Sequence, residues 1–571
     1  MPPAHPATPL TVPQHSFFTS PVQAHNGQKE LPLHLVALII SYIDHAADLA
    51  RLTRTSRLFY YMALPKLYEN VTLRSYSDIR YVNGRPEGYG NGSPFAMGLN
   101  TLISRPFAEY IYKFRVAGEW REHDTDDYSK GRVPDNTMML SVALRAALDK
   151  MKKLEAFAWE LNTKPMQTVY QGIIARPNLT SLILRQPTKR IPRPTVLIPP
   201  LPNLTTLVVY DIDPLCYPDD ISILLLTSKK LENLKLHWNP RMREMGEESV
   251  NLMNYFGRCL TAKHKIPIKR FAFYNLYTRN NGEGFEDCLD PRCAEEITII
   301  NSMGSSDPMT VFLDDTWRIK PAKNVPGKLK MMRGDMVNSD HVKMLARITS
   351  LERLYLLGSK PLSKPSSTAV TPTSAPGFAP NTIATPTEQQ CKSLASDYLA
   401  VIQSNHHGMR HLLLSDTWML GDEAILQLCK ACPNLEQLGV SCCIAPPDNL
   451  RKMVALVPRL WALRILIRPA SEFGEMLTSM DIEMHRFALA TELWKPEYRN
   501  LKYFGLGDSI VFKLGHVVGS TTANGVGRGG DNSLNAKRRG PFRVLETVER
   551  ESVEWIEIWG LDNTEFDTSF P

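Results

Sequence analysis

The chain repeats one short pattern, LTSLIL at 179–184, LTTLVV at 204–209 and LENLKL at 231–236, with apolar residues at the first, fourth and sixth positions. Further copies read LERLYL at 351–356, MRHLLL at 409–414, LEQLGV at 435–440, LWALRI at 460–465 and LKYFGL at 501–506. Weaker copies start at Leu154, Ile268 and Val553. Apolar residues at alternate positions are typical of a strand with one buried face, so each copy predicts a β-strand.

Helical stretches lie between successive copies: PMQTVYQGIIA at 165–175, DDISILLLTSKK at 219–230 and DEAILQLCKA at 422–431. A helix between two strands forces parallel pairing, because a hairpin cannot skip a helix. A period of about 25 residues with LxxLxL resembles leucine-rich repeats, whose strands line the concave face of a solenoid. We therefore expect an α/β fold, an irregular solenoid over 76–571 with parallel strands on its concave face. The alternative is a generic α/β domain with leucine-rich strands.

The spacing of the copies is irregular in places, which predicts insertions. In the 83-residue interval between the copies at Ile268 and Leu351, TVFLDD at 310–315 is the candidate for a degenerate repeat. Three segments are too poor in apolar residues to offset the entropy of ordering, and we expect them to be disordered. They are the proline-rich leader 1–28, the Ser/Thr/Pro-rich stretch 360–388 and the Gly/Asn/Ser-rich stretch 515–541.

Composition narrows the class of protein. The 571 residues are 43% hydrophobic and carry a net charge of +7, which is too dilute to indicate nucleic acid or an anionic membrane as a partner. The apolar run LVALIISYI at 35–43 is half a membrane span, and no signal peptide precedes it. Nine cysteines without an export signal predict reduced thiols. We expect a protein of the cytoplasm, the nucleus or both.

Residues 29–75 hold a second pattern, three short amphipathic helices followed by a strand at 71–73. The stretch LPLHLVALIISYIDHAADLARLTRTSRLFYYMA at 31–63 resembles an F-box of the fungal type. It supplies Leu-Pro, an aliphatic stripe, Tyr-Ile-Asp, Asp-Leu and then Ser-Arg before an aromatic residue. It departs from that motif at His34, where an acidic residue is usual, and at Phe59, where tryptophan is common.

The resemblance implies that this segment docks on the Skp-type adaptor of a cullin-based SCF ubiquitin ligase, and that the repeats hold a protein substrate. The chain itself would then be no enzyme and would need no cofactor. The alternative is an ordinary helical cap on the end of the solenoid. The adaptor-binding residues that the resemblance implies are Leu31, Pro32, Leu35, Ile39, Tyr42, Ile43, Leu49 and Leu52.

Strand geometry predicts which residues face a substrate. In LxxLxL the aliphatic side chains point into the core, so the intervening residues point to the concave face. That set is rich in aromatic residues, arginine and histidine, which are frequent anchors at interfaces. Its members are Arg185, Tyr210, Lys235, His237, Arg353, Tyr355, His411, Gln437, Arg464, Tyr503, Trp555 and Trp559.

Sequence motifs for metal binding, phosphate binding or catalysis are weak in this chain. Cys429-x-x-Cys432 followed by Cys442-Cys443 has the look of a zinc site, but its place at the corner between helix and strand favours buried structural thiols. GVGRGG at 525–530 has no visible flanking strand and helix, so a phosphate cradle is not indicated. Thr371 and Thr385, each before proline, are candidate phosphorylation sites. We expect no metal. Besides a ligase receptor, a scaffold without ubiquitination and an unrecognised enzyme stay open.

Overall fold

The structure is a computed structural model, and its description covers most of the chain in many short ranges. They are 31–82, 84–87, 93–187, 191, 193–212, 218–238, 253–279, 288–300, 310–312, 328–335, 339–357, 388–442, 447–468, 471, 474–476, 481–519 and 540–567. The leader 1–28, the glycines at 525–530 and both Thr-Pro steps lie outside these residues. So does nearly all of 360–388, although Glu388 begins a helix. Residues 515–518, expected in a disordered stretch, belong to a strand.

The helices are spread along the whole described chain, and short 3₁₀ segments accompany them. The α-helices are α1 (Leu33–Ser41), α2 (Ala46–Leu52), α3 (Arg57–Leu67), α4 (Pro94–Ser104), α5 (Asp135–Lys150), α6 (Gln167–Ile174), α7 (Pro218–Thr227), α8 (Met253–Thr261), α9 (Ser339–Leu345), α10 (Glu388–Asn405), α11 (Asp422–Ala431), α12 (Pro447–Leu456), α13 (Ile482–Glu492) and α14 (Glu557–Gly560). The 3₁₀ segments are Pro106–Tyr110, Thr125–Lys130, Pro291–Cys293, Pro496–Tyr498 and Arg550–Val553.

The strands alternate with these helices through the repeats. They are β1 (Asn70–Ser75), β2 (Arg80–Val82), β3 (Arg85–Glu87), β4 (Lys113–Gly118), β5 (Ala156–Leu161), β6 (Ser181–Arg185), β7 (Thr206–Ile212), β8 (Asn233–Trp238), β9 (Arg270–Tyr274), β10 (Tyr277–Arg279), β11 (Glu296–Ile300), β12 (Thr310–Phe312), β13 (Met331–Gly334), β14 (Arg353–Leu356), β15 (His411–Leu413), β16 (Met419–Leu420), β17 (Gln437–Cys442), β18 (Ala462–Ile465), β19 (Tyr503–Leu506), β20 (Ile510–Val518) and β21 (Phe542–Val548).

The chain divides into two compact units at Asn70 and Val71. The described part of the first unit is the three helices α1 to α3, whose own core contains Ile40, Leu49 and Ala63. Ser56 caps α3 by accepting a hydrogen bond from the backbone N–H of Phe59 at 3.1 Å, which satisfies one of the free donors at the helix start. The three helices therefore have a small hydrophobic core of their own.

One large, mostly parallel sheet organises the second unit. Strands β4 to β9 pair in parallel in chain order, and the series continues through β11, β13, β14, β15, β17, β18 and β19. β1 pairs with β4 at one end, and the hairpin β20–β21 adds two antiparallel strands at the other. The expected α/β fold is confirmed: each repeat strand pairs with the strand of the next repeat.

The strand predictions are wrong in three places. VEWIEI at 553–558 is a 3₁₀ turn and the start of α14, not a strand. Residues 310–312 do form a strand, β12, but it pairs antiparallel with β10, outside the main sheet. The repeats hidden in that interval are β11 and β13, whose sequences EITII and MMRG lack the LxxLxL pattern.

The two faces of the sheet differ in what covers them. The apolar positions of the repeats, such as Leu182, Leu207, Leu234 and Leu438, form one continuous core with the connecting helices. We call the opposite side the far face. Its middle row contains Arg115, Ala158, Ile183, Val208, Lys235, Ala272, Thr298, Arg333, Tyr355, Leu413, Gly439, Arg464 and Gly505, register neighbours on successive strands.

Candidate functional site

Residues 553–567, which we call the C-terminal segment, lie on the far face. Val553, Ile556, Ile558 and Trp559 are buried there against side chains of the strands, among them Leu413. A Cβ atom added at Gly505 would lie 2.7 Å from Cζ2 of Trp559, so the glycine makes room for the indole. Because these four side chains are almost fully buried, this part of the segment belongs to the protein core.

Arg464 ties the segment to β18. Its guanidinium is fully buried and donates hydrogen bonds to the carbonyl oxygen of Ile558 at 2.8 Å and to that of Gly507 at 3.2 Å. It also pairs with the carboxylates of Asp508 at 2.7 Å and Asp562 at 2.8 Å. Buried charges are stable only when paired and hydrogen-bonded, and these contacts meet that condition. Arg464 therefore has a structural role.

Glu557 is the polar centre of the covered region. Its carboxylate accepts hydrogen bonds from the Tyr355 hydroxyl and the His411 ring, and it pairs with the Arg353 guanidinium at 2.9 Å. Burial alone would raise the pKa of Glu557, but the hydrogen bonds from His411 and Tyr355 and the nearby positive charges lower this pKa to about 2. Burial and the neighbouring Glu557 charge raise the pKa of Tyr355. The carboxylate is thus ionised across the physiological range.

Arg333 is a residue of this face that the sequence analysis missed. It is buried and donates hydrogen bonds to the carbonyl oxygens of Leu561 at 2.9 Å and Asn563 at 2.6 Å, and to the Tyr274 hydroxyl at 2.7 Å. Its strand reads MMRG, which has no leucine spacing. The only signal that could have found it is an arginine within a short apolar run.

Burial contradicts four of the expected substrate contacts on this part of the face. Tyr355, Gln437, Arg464 and Trp559 are buried, with Gln437 accepting a hydrogen bond from the Ile558 N–H at 3.2 Å. Arg353 and His411 are half-buried and engaged with Glu557. Gln437, Arg464, Arg353 and His411 contact the C-terminal segment, whose residues 553–558 were expected to form a repeat strand.

Trp555 and Tyr503 are placed differently from the expectation as well. Trp555 lies in a turn rather than on a strand, is 64% exposed, and stacks on Trp461 with ring centroids 5.7 Å apart. Tyr503 on β19 meets the edge of Trp555 at 5.9 Å and lies 6.2 Å from Trp461. The three rings form an aromatic patch in which Trp555 has the largest exposed surface.

The other expected contacts, Arg185, Tyr210, Lys235 and His237, lie on β6, β7 and β8 and are half-buried. The far face carries a cavity of about 500 Å³ at the first two of these residues. Arg185 and Tyr210 line it together with Arg74, Ser75, Tyr76, Ser77, Asp78, Ile79, Arg115, Ala117, Gly118, Glu119 and Glu160. This size is typical of pockets that bind small molecules or peptide side chains.

Several polar groups that line this cavity already have partners within the protein. Glu160 is 2% exposed and accepts hydrogen bonds from Arg115 and from the Tyr210 hydroxyl, the latter at 3.0 Å. Arg185 pairs with Asp211 at 2.8 Å and lies 5.9 Å from the centre of the Tyr210 ring. Burial and the Glu160 charge raise the pKa of Tyr210, so its hydroxyl keeps its proton. The cavity thus has a preorganised wall of charged and aromatic groups.

His237 lies beside this wall and accepts a hydrogen bond at Nδ1 from the Asp211 N–H at 3.2 Å. Burial lowers the pKa of His237, although the charge of Asp211 opposes that shift. The ring therefore stays neutral at physiological pH and acts as an aromatic surface. Phe566 of the C-terminal segment packs on it, with centroids 5.1 Å apart.

In the first unit, α1 has two apolar faces. Val36, Ile40 and Ile43 contribute to the core of the three helices. A second row at helical spacing is exposed: Leu35 at 36%, Leu38 at 51% and Ile39 at 55% on α1, and Tyr42 at 77% at its C-terminal cap. Leu31 and Pro32 are exposed as well. Exposed apolar groups at helical spacing are typical of a docking surface.

Three of the expected adaptor contacts pack inward in this structure. Leu49 is 2% exposed and lies in the core of the three helices, so it does not face a partner in this structure. Ile43 and Leu52 are half-buried and pack against the same core. Sequence spacing alone assigned inward-facing and outward-facing residues to one stripe. The two rows are adjacent on the helix, and their members are only one position apart in sequence.

Cys429, Cys432 and Cys442 are buried in the repeat core as reduced thiols. Burial raises the pKa of Cys429 and that of Cys432 to about 12 each, so both thiols stay protonated. In the part of the chain that the structure describes, no group of three or more His, Cys, Asp or Glu side chains is arranged to hold a metal ion. Within the same ranges, no helix is both long and apolar enough to cross a membrane.

No family model matches the chain, and no curated protein matches it. The class that the fold defines is an α/β protein whose parallel repeat sheet bears the C-terminal segment on one face.

Proposed function

We propose that this chain is the substrate receptor of an SCF-type ubiquitin ligase, with an F-box in the first unit and leucine-rich-repeat-like units in the second. The observation that carries the proposal is the exposed apolar row of α1 on a helical unit that already has its own core. Such a unit needs no further apolar surface for folding, so the second row is available for a partner. The complex would work in the cytoplasm, the nucleus or both.

The row is large enough to support binding. Fully burying an exposed leucine or isoleucine side chain contributes about 1.5–3 kcal/mol. Leu35, Leu38, Ile39 and Tyr42 are 36–77% exposed, so each contributes a fraction of that. Association and side-chain ordering oppose this gain, so the surplus decides the affinity. The matching partner is a groove of the Skp-type adaptor that takes the apolar face of a helix, and a cullin would follow through the adaptor.

The second unit would hold the substrate on the uncovered part of the far face. The cavity beside Arg115, Arg185 and Tyr210 supplies charged, aromatic and apolar contacts in one place. No bond chemistry is assigned to the chain. Its contribution would be proximity, since a held substrate meets the ubiquitin-charged enzyme at high effective concentration.

Co-purification tests this proposal. Tagged full-length wild type and the double variant Leu35→Asp/Ile39→Asp would be recovered from a fungal extract and probed for the Skp-type adaptor and the cullin. Met484→Asp is the matched control, because Met484 is also an exposed apolar helix residue, 60% exposed, but lies in the second unit. We expect wild type and the control to recover both partners, and the double variant to lose them at least tenfold.

Two results would contradict the receptor role. Recovery of the adaptor without a cullin would favour the alternative, a scaffold that uses the F-box without ubiquitination. Failure of the wild type to recover either protein would leave the three helices as a cap. Turnover of a small substrate by the isolated chain would instead favour an enzyme.

A further inference from the structure

We propose that Tyr210, Lys235, His237 and Tyr274 form a subsite for an aromatic residue followed by an acidic residue of a partner polypeptide. The chain's own Phe566-Asp567 is its resident competitor. That this polypeptide is a ubiquitination substrate rests on the proposed function; the subsite itself rests on the geometry of the far face.

Three rings surround Phe566. Its ring centroid lies 5.6 Å from that of Tyr210, 5.1 Å from His237 and 5.0 Å from Tyr274, and it meets Tyr274 edge-on at 86°. Aromatic rings prefer such tilted and edge-to-face contacts, because their partly positive edges meet negative faces. The enclosure therefore selects an aromatic side chain rather than apolar bulk alone.

Lys235 supplies the second element of recognition. Its ammonium nitrogen lies 2.7 Å from Oδ2 of Asp567, directly after the enclosed ring in sequence. Lys235 is two positions from His237 on β8, and alternate residues of a strand face the same side. β8 and its neighbouring strands thus contact both the Phe566 ring and the Asp567 carboxylate. These two groups belong to adjacent residues, so one peptide could supply both.

The resident pair is held less firmly than the rest of the C-terminal segment. Phe566 is half-buried, and the side chain of Asp567 is 50% exposed, whereas Ile558 and Trp559 are at most 1% exposed. An ion pair with that much solvent contact is screened and weak. The last two described residues can therefore leave the subsite while Arg464 and Arg333 keep the preceding residues in place.

A partner bound in the subsite also reaches the open cavity. Tyr210 contacts Phe566 with its ring and lines the cavity of about 500 Å³ on β4 to β7. A peptide that replaces Phe566 can extend along Arg185 and Arg115, whereas the resident pair approaches from the opposite side, after Arg333. Among the residues that the structure describes, the resident pair and such a peptide overlap only at the subsite, so the two compete there.

Peptide binding to the full-length protein tests the competition. The probe is a fluorescently labelled EFDTSFP peptide, the sequence of residues 565–571, measured by anisotropy. We expect Phe566→Ala/Asp567→Asn to bind the probe at least tenfold tighter than wild type, because a tethered competitor acts at millimolar effective concentration. Adding Lys235→Glu to that variant should remove the gain, and a probe with alanine in place of the enclosed phenylalanine should not bind.

The proposal is overturned if the double variant, with an unchanged thermal unfolding transition, binds the probe no tighter than wild type. It is equally overturned if Lys235→Glu leaves binding intact. Asp567→Asn alone is the second variant, since it changes only an exposed carboxylate. It should tighten binding of the probe about threefold. An unchanged affinity would contradict the proposal. Adaptor recovery is scored separately: peptide binding without the adaptor removes only the substrate assignment, and adaptor recovery without peptide binding removes only the subsite.

Discussion

The guanidinium of Arg464 donates a hydrogen bond from Nη1 to the carbonyl oxygen of Ile558 at 2.8 Å, across 94 positions of sequence. The interaction joins a strand of the repeat sheet to the segment on the far face. Strand alternation predicted that Arg464 faces a substrate. In the structure its guanidinium instead holds the C-terminal segment. Stability, rather than substrate affinity, should therefore respond first to changes at this position.

Arg464→Met is expected to lower the free energy of unfolding by about 3–5 kcal/mol, because it leaves the buried carbonyl of Ile558 and the carboxylate of Asp562 without their partner. Urea unfolding measures the change. Arg459→Met is the control: Arg459 is exposed on the same repeat, and its loss should stay within about 0.5 kcal/mol. A loss below 1 kcal/mol for Arg464→Met would show that the segment is only loosely attached.

Gly505→Ala should destabilise the protein by about 1–3 kcal/mol, because the new methyl group would lie 2.7 Å from the Trp559 ring. Gly408→Ala is the matched control, since an added Cβ there meets nothing within 4 Å. Differential scanning calorimetry compares the two variants. Equal melting temperatures would mean that Trp559 does not occupy this position in solution.

Glu557→Gln should lower stability at neutral pH by about 1–3 kcal/mol, toward the lower end because part of the side chain is exposed. The pKa of Glu557 is lowered to about 2 in the folded protein, from an ordinary value of 4.5. The carboxylate therefore contributes stability above about pH 5 and loses that contribution as the pH falls from 5 toward 2.

The stability difference between wild type and Glu557→Gln should accordingly shrink over that acidic range. Urea unfolding at a series of pH values provides the comparison. A difference that stays constant from pH 7 to pH 3 would mean that the carboxylate gains nothing from Tyr355 and His411.

Two neighbouring isoleucines separate the faces of α1. Ile40 is 3% exposed and Ile39 is 55% exposed, so Ile40→Ala should cost about 2–5 kcal/mol and Ile39→Ala less than about 0.5 kcal/mol. Native-state hydrogen exchange of the amides in α1 to α3 reports the stability of this unit within the full chain. Similar protection in both variants would contradict the assignment of inner and outer rows.

Several elements could be predicted because their signals are local. The strands from Leu179, Leu204 and Leu231 follow from apolar alternation, and parallel pairing follows from the helices between them. β11 and β13 were missed, because EITII and MMRG lack the leucine spacing and contain only three and two apolar residues.

For the candidate site, too, local sequence signals predicted some features and could not predict others. Alternation along a strand correctly placed Arg185, Tyr210, Lys235 and His237 away from the leucine-rich core, and it placed Tyr355 and Arg464 on the same side. It could not show that Glu557, 202 positions from Tyr355, lies over that side. Nor could it show that Trp559 is core, because VEWIEI has the same spacing as a repeat strand.

The sequence by itself therefore determined most of the repeat strands, their parallel order and the amphipathic character of α1, all of which depend on residues a few positions apart. Only the tertiary structure decided which part of the far face is free. Burial there depends on contacts between Arg333 and Asn563, or Lys235 and Asp567, 230 and 332 positions apart. Side-chain periodicity contains no information about which distant segment will cover a given strand, because that choice is made by packing and charge pairing across the whole fold.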